Sequence, residues 1–127
     1  MILVDTSAWI HFFLGKGHCS DQVDDLLATN DLVLCGPVLT ELRRGLRSPS
    51  ERRRLVPLFD GCQLLSQPDR LWEEAGELGY VLARKGVTAG TLDLLIATYA
   101  LTHGVPVLAA DSDFAAMRAA GIPIMTA

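Results

Sequence analysis

The first seven residues, Met1-Ile2-Leu3-Val4-Asp5-Thr6-Ser7, constrain the fold more than any other stretch. Four apolar residues, with Ile2 and Val4 β-branched, read as a strand buried on both faces, which is the habit of a parallel sheet. The run stops at a carboxylate. Thr6 and Ser7 then lead into Ala8-Trp9-Ile10, a helix start. In an open α/β sheet, ligands bind beyond the carboxyl ends of the strands, and Asp5 stands at that place. Asp-Thr-Ser ahead of a helix is also a good N-cap, so Asp5 has a structural reading beside the chemical one.

The same alternation runs through the chain. Apolar runs predict further strands over 32–35, 62–65 and 107–110, with a short edge strand at 123–125. Between them the patterning predicts helices over 8–14, 20–30, 37–46, 51–59, 68–85, 91–103 and 111–120. Gly15, Gly61, Gly86, Gly104 and Gly121 punctuate helix ends, and Pro37 and Pro68 sit at helix starts. Strands alternating with helices predict an α/β fold, a parallel sheet covered on both faces. The 127 residues suit a single domain over 1–127, with no repeat and no linker. Trp72 is expected to pack against the core or its flank.

No apolar run approaches membrane-spanning length, and no basic segment precedes an apolar one at the N-terminus. The chain reads as soluble and cytoplasmic. Cys19, Cys35 and Cys62 are an odd number with no close pair, which fits buried thiols in a reducing compartment better than disulfides or a zinc site. The net charge of −4 disfavours non-specific nucleic-acid binding. Its distribution matters more. Arg43, Arg44, Arg47, Arg52, Arg53 and Arg54 concentrate six of the eleven basic residues in one segment. Such a segment can grip a phosphate backbone, or it can be the solvated face of two helices.

Several carboxylates stand where structure alone does not want them. Glu41 shares a helix face with Val38, Leu42 and Gly45; Asp93 shares one with Ile96, Ala97 and Ala100. Both would point inward, and an unpaired buried carboxylate costs on the order of several kcal/mol. Glu41 has arginines nearby for a salt bridge. Asp93 has no cation within a turn, although its place near a helix N-terminus favours a negative charge. Asp111 follows the run Val107-Leu108-Ala109-Ala110 as Asp5 follows the first strand, with Asp113 two residues on. Parallel strands that each end in Asp bring those carboxylates to one edge. Crowded carboxylates repel one another and raise each other's pKa. All-oxygen clusters of this kind select Mg²⁺ or Mn²⁺, which handle phosphoryl chemistry.

With those residues in place, the sequence resembles the PIN-domain ribonucleases, and closely the VapC-type toxins of bacterial toxin–antitoxin pairs. The resemblance rests on Leu3-Val4-Asp5-Thr6-Ser7-Ala8-Trp9-Ile10, Thr40-Glu41-Leu42 with Gly45-Leu46, Asp93-Leu94-Leu95-Ile96-Ala97 and Asp111-Ser112-Asp113-Phe114, in an order that spans almost the whole chain. It implies a PIN-like α/β/α sandwich with a mainly parallel sheet of four to five strands. It implies a Mg²⁺- or Mn²⁺-dependent endoribonuclease that hydrolyses single-stranded RNA by a metal-activated water. Asp5, Glu41 and Asp93 match the three core acidic positions, Asp111 the fourth and Asp113 its less regular neighbour. Asp5, Asp93 and Asp111 are then the metal ligands, with Glu41 and Asp113 as further or water-mediated ones. Thr6 matches a hydroxyl position that orients a carboxylate or water. Ala109 departs from the pattern, since relatives often carry Thr or Ser there. The resemblance also implies a homodimer and a small VapB-like antitoxin that places a basic side chain in the acidic pocket. His11, His18 and His103 match no catalytic position and read as surface or packing residues.

Three other readings compete. An inactive PIN-like module would only bind RNA or a partner, but all four acids are present. A metal-dependent phosphatase of the haloacid-dehalogenase type needs a second Asp where Ser7 stands. A response-regulator receiver wants a Lys after a late strand, and Met125-Thr126-Ala127 offers none.

Overall fold

Four strands, β1 (Ile2–Val4), β2 (Leu32–Leu34), β3 (Gln63–Leu64) and β4 (Val107–Leu108), pair in parallel in the order β3-β2-β1-β4. This is a computed structural model, and it describes all 127 residues. The two central strands explain the apolar runs. Leu3, Val4, Leu32, Val33 and Leu34 are all buried, because helices cover both faces of the sheet. Seven helices flank it: α1 (Thr6–Leu14), α2 (Ser20–Thr29), α3 (Gly36–Arg44), α4 (Pro49–Asp60), α5 (Leu71–Arg84), α6 (Thr91–His103) and α7 (Asp113–Ala119). The result is the α/β/α sandwich that the alternating pattern implies.

One apolar cluster fills the space between the layers. Trp9 of α1 is its largest member. Its ring meets Phe59 of α4 edge-on, with centroids 5.6 Å apart. The α5 stripe is also as patterned, with Leu71, Ala75 and Leu82 buried and Leu78 half-buried. At Gly79 the α5 backbone approaches α6 so closely that a Cβ would lie 2.8 Å from Leu94 Cδ1. That approach fixes the first turn of α6, which carries Asp93.

Several boundaries differ from the sequence pattern, each for a local reason. β4 ends at Leu108 rather than residue 110, because the Ala110 N–H donates to the Ser7 hydroxyl instead of to a strand. The edge strand expected at 123–125 is only a parallel bridge between Val107 and Thr126, flanked by hydrogen bonds from Val107 N to Met125 O and from Ala127 N to Val107 O. The helix expected from Pro68 begins at Leu71, because Arg70 is non-helical and Pro68 to Leu71 form a turn. Trp72 does not pack: it is 65 % exposed, about 100° round the helix from the buried Leu71. No helix is long and apolar enough to cross a membrane.

Candidate active site and the arginine-lined groove beside it

β1 delivers Asp5 to the carboxyl edge of the sheet. The residue is extended and caps α1, accepting hydrogen bonds from Ser7 N at 3.3 Å and Ser7 Oγ at 2.7 Å. The capping reading is therefore correct as local structure, yet it leaves Asp5 only 4 % exposed. Burial pushes its carboxyl pKa up, the Ser7 hydrogen bonds oppose that shift, and the charge of Asp111 adds to it. β4 lies directly beside β1, in register Leu3 to Val107 and Val4 to Leu108. The Asp5 N–H donates to Leu108 O at 2.8 Å. The segment leaving β4 therefore starts level with Asp5, and it carries Asp111 and Asp113.

Ser7 is the residue that sequence reasoning missed. Its hydroxyl donates to Asp5 Oδ2 and accepts from Ala110 N at 2.9 Å, so it ties the corner after β1 to the corner after β4. The partners are 103 positions apart, and the only sequence signal is the Asp-x-Ser spacing at a helix start. Ser7 thus supplies a hydroxyl to the backbone next to Ala109.

Glu41 comes from the second turn of α3, which starts directly after β2. It is half-buried beside the buried Val38 and Leu42. Its partner is not an arginine: Thr6 Oγ1 donates to Glu41 Oε1 at 2.9 Å, linking α1 to α3. The salt bridges in the chain lie elsewhere, Arg43 with Asp60 at 4.0 Å and Arg70 with Glu73 at 3.6 Å. Cys35, the N-cap of α3, lies behind the acids. Burial, with the nearby Asp5 and Glu41 charges, holds its thiol up at about 12, so it stays a neutral filler.

Asp93 sits in the first turn of α6, half-buried. Its carboxyl is pushed up to about 7. Burial is the largest cause; next come a hydrogen bond and charge repulsion from Asp113, then the charges of Asp5 and Asp111. Two carboxyl groups can share a hydrogen bond only if one keeps a proton. Asp111 and Asp113 are exposed at the start of α7, and Asp111 Oδ1 accepts from Asp113 N at 3.3 Å. Asp111 thus has a capping role as well. No lysine, arginine or histidine pairs with any of the five acids.

The six arginines separate. Arg44, Arg47 and Arg54 line a groove of about 460 Å³ between α1, α3 and α4. Thr6 and Glu41 form its inner end, and the exposed Ile10, Phe13 and Leu14 form one wall. Arg43 turns instead toward Asp60. Arg52 and Arg53 are exposed on α4 outside the groove. Of the histidines, His103 donates from Nε2 to Ser66 O at 2.8 Å and pins the end of α6 to a loop. His11 is half-buried and His18 exposed, as packing and surface residues, and they lie beside Cys19 at the far end of α1.

A parallel sheet with acids gathered at its carboxyl edge is the layout of the PIN domain, and the PIN domain pattern matches residues 2–120. The chain belongs to the PIN-domain family. It is 32 % identical to the VapC ribonuclease Mb1587 of Mycobacterium bovis over 119 residues, covering 90 % of this chain and 89 % of that protein. Among solved structures, VapBC2 of Rickettsia felis, bound to a DNA fragment from its promoter, superposes with a TM-score of 0.78 at 20 % identity, covering 100 % of this chain and 98 % of that one. A member of the VapBC family of toxin–antitoxin systems, VapBC-5 of Mycobacterium tuberculosis, superposes at 0.67 with 26 % identity, covering 98 % and 97 %.

Proposed function

We propose that this chain, a single PIN domain over 1–127, is a divalent-metal-dependent endoribonuclease. It cuts phosphodiester bonds in single-stranded regions of RNA and acts in the cytoplasm as the toxin of a VapBC-type pair. One observation carries the reading: Asp5, Asp93, Asp111 and Asp113 act on one another without a balancing cation, and burial, with the nearby Asp113, Asp5 and Asp111, pushes Asp93 up to about 7. The donor set fits a hard divalent cation, since it is all oxygen and uncompensated. Asp5, Asp93 and Asp111 would hold Mg²⁺ or Mn²⁺, with Glu41 and Asp113 as further or water-mediated ligands. Such an ion supplies an activated water and charge neutralisation at the phosphate.

The chain's own residues prepare that site. Ser7 and the α1 backbone hold Asp5 in one orientation. Thr6 holds Glu41 at the inner end of the groove. Asp93, held up at about 7, must lose its proton when a cation arrives, so cation binding is expected to tighten as pH rises. Arg44, Arg47 and Arg54 are placed to meet the phosphates of a strand that ends at the acids. Arg43, Arg52 and Arg53 stand outside that path and act at most through the general field. The apolar wall of Ile10, Phe13 and Leu14 suits a segment of a VapB-like antitoxin that lies along the groove and offers a basic side chain to the acids. A second copy of the chain completes the expected assembly.

The test is cleavage of total cellular RNA by antitoxin-free protein with Mg²⁺, with Mn²⁺ and with EDTA, beside Asp93→Asn. Discrete fragments that need metal and vanish in the variant are expected. Cleavage that persists in EDTA and in the variant would overturn the assignment of activity to this site.

A further inference from the structure

The last turn of α1 carries His11, and the connection to α2 carries His18 and Cys19. One ligand atom from each of the three lies within 4.8 Å of the other two. The two imidazole rings meet edge to face, with centroids 5.2 Å apart and planes at 85°. Cys19 is fully buried and His18 is exposed, so the cluster opens to solvent on one side only. His11 Nδ1 is buried and has no hydrogen-bond partner. An orphaned buried ring nitrogen is destabilising, and no donor or acceptor in the protein meets it.

The backbone is shaped around this cluster. Gly17 has φ +96°, and a Cβ there would collide with the His11 ring. Only glycine lets the connection fold down over His11 and bring His18 and Cys19 back toward it.

We propose that His11, His18 and Cys19 form a binding site for a borderline-soft transition-metal ion, best matched by Zn²⁺, separate from the acidic cluster. Two imidazoles and a thiolate select Zn²⁺ over Mg²⁺ or Mn²⁺, the reverse of the all-oxygen site. Bond lengths of about 2.0–2.1 Å to nitrogen and 2.3 Å to sulfur put tetrahedral ligand atoms roughly 3.5 Å apart. The exposed His18 ring is the ligand free to move toward that spacing. Both imidazoles bind neutral, the Cys19 thiol releases its proton to solvent, and water takes the fourth position. The ion ties the end of α1 to the start of α2.

The test uses the full-length chain without a polyhistidine tag, titrated with Co²⁺ as a spectroscopic probe and then with Zn²⁺ as competitor. Thiolate-to-cobalt charge-transfer absorption is expected at one ion per chain, and Zn²⁺ should displace it. His18→Ala changes an exposed side chain and keeps the fold, and should weaken binding about tenfold or more. Cys19→Ser should abolish the charge-transfer band, while Asp93→Asn should leave it intact. Far-ultraviolet circular dichroism on each variant separates loss of the site from loss of the fold. Absence of the band in the parent chain overturns the proposal, as does a band of unchanged affinity in folded His18→Ala.

Discussion

Helix α1 joins two clusters built in opposite ways. At its N-terminus, Asp5 and Thr6 belong to a set of oxygen donors drawn from β1, α3, α6 and the corner after β4. At its C-terminus, nitrogen and sulfur donors come from a single short turn, His11 to Cys19. The oxygen cluster exists only because the sheet topology brings distant corners together. The nitrogen–sulfur cluster needs only one helix end and one glycine. Burial and neighbouring carboxylates both push Asp5 and Asp93 up, so the fold holds these acids where a negative charge is costly.

The sharpest way to break this comparison is Asp93→Asn. RNA cleavage is expected to fall by about 10²–10³-fold or more, the scale seen when one electrostatic group is removed from an active site. The Co²⁺ absorption at the other end of α1 should not change. Coupled loss at both ends would mean that the clusters are one site.

Next in size is the groove. Replacing Arg44, Arg47 and Arg54 together with Gln should flatten the slope of log affinity for single-stranded RNA against log salt by roughly 2, for three phosphate contacts. Arg52→Gln with Arg53→Gln should change it much less. Equal slopes for the two sets would remove the groove from the RNA path.

Ser7→Ala is expected to have a smaller effect. It removes the hydroxyl between Asp5 and Ala110 N, and should cost about 1 kcal/mol of stability by leaving a half-buried N–H without its partner. Cleavage should drop as Asp5 loses its fixed orientation. Unchanged melting and unchanged cleavage would show that the bridge is incidental.

The smallest effect is on melting of metal-free protein. Asp93 titrates near 3.8 when unfolded and about 7 when folded. Between those values the folded chain binds the extra proton, so stability falls as pH rises through that window and the loss is complete above it. The protein should melt higher at about pH 5 than at about pH 8, by about 5 °C for an effect on the order of 1–2 kcal/mol in a half-exposed setting. Asp93→Asn should flatten that difference and raise the melting point on the alkaline side. A variant that melts much lower at both pH values would make Asp93 a structural residue.

Much of this was legible in the chain alone. The apolar run before Asp5 and the similar run before Asp111 announced a parallel sheet with two acids at one edge. The inward positions of Glu41 and Asp93 followed from helical spacing, because period 3.6 puts them beside Val38 and Ile96 whatever the rest of the fold does. The arginines were legible only as a cluster. Their division between groove, ion pair and open surface depends on how α3 and α4 cross. The proximity of His11, His18 and Cys19 was not legible for a similar reason. His11 and His18 lie seven positions apart with no standard zinc motif around them, and the positive φ of Gly15 and Gly17 turns the chain between them.

The order of elements, the parallel sheet and the identity of the acidic residues were determined by the sequence itself, since hydrophobic period and residue chemistry are local properties. Tertiary structure alone decided the partners: Thr6 for Glu41, Ser7 for Asp5 and Ala110, Asp113 for Asp93, and the His11–His18–Cys19 cluster. Hydrogen bonds and charge coupling act over a few ångströms, and which side chains come that close is settled by register, crossing angle and loop path.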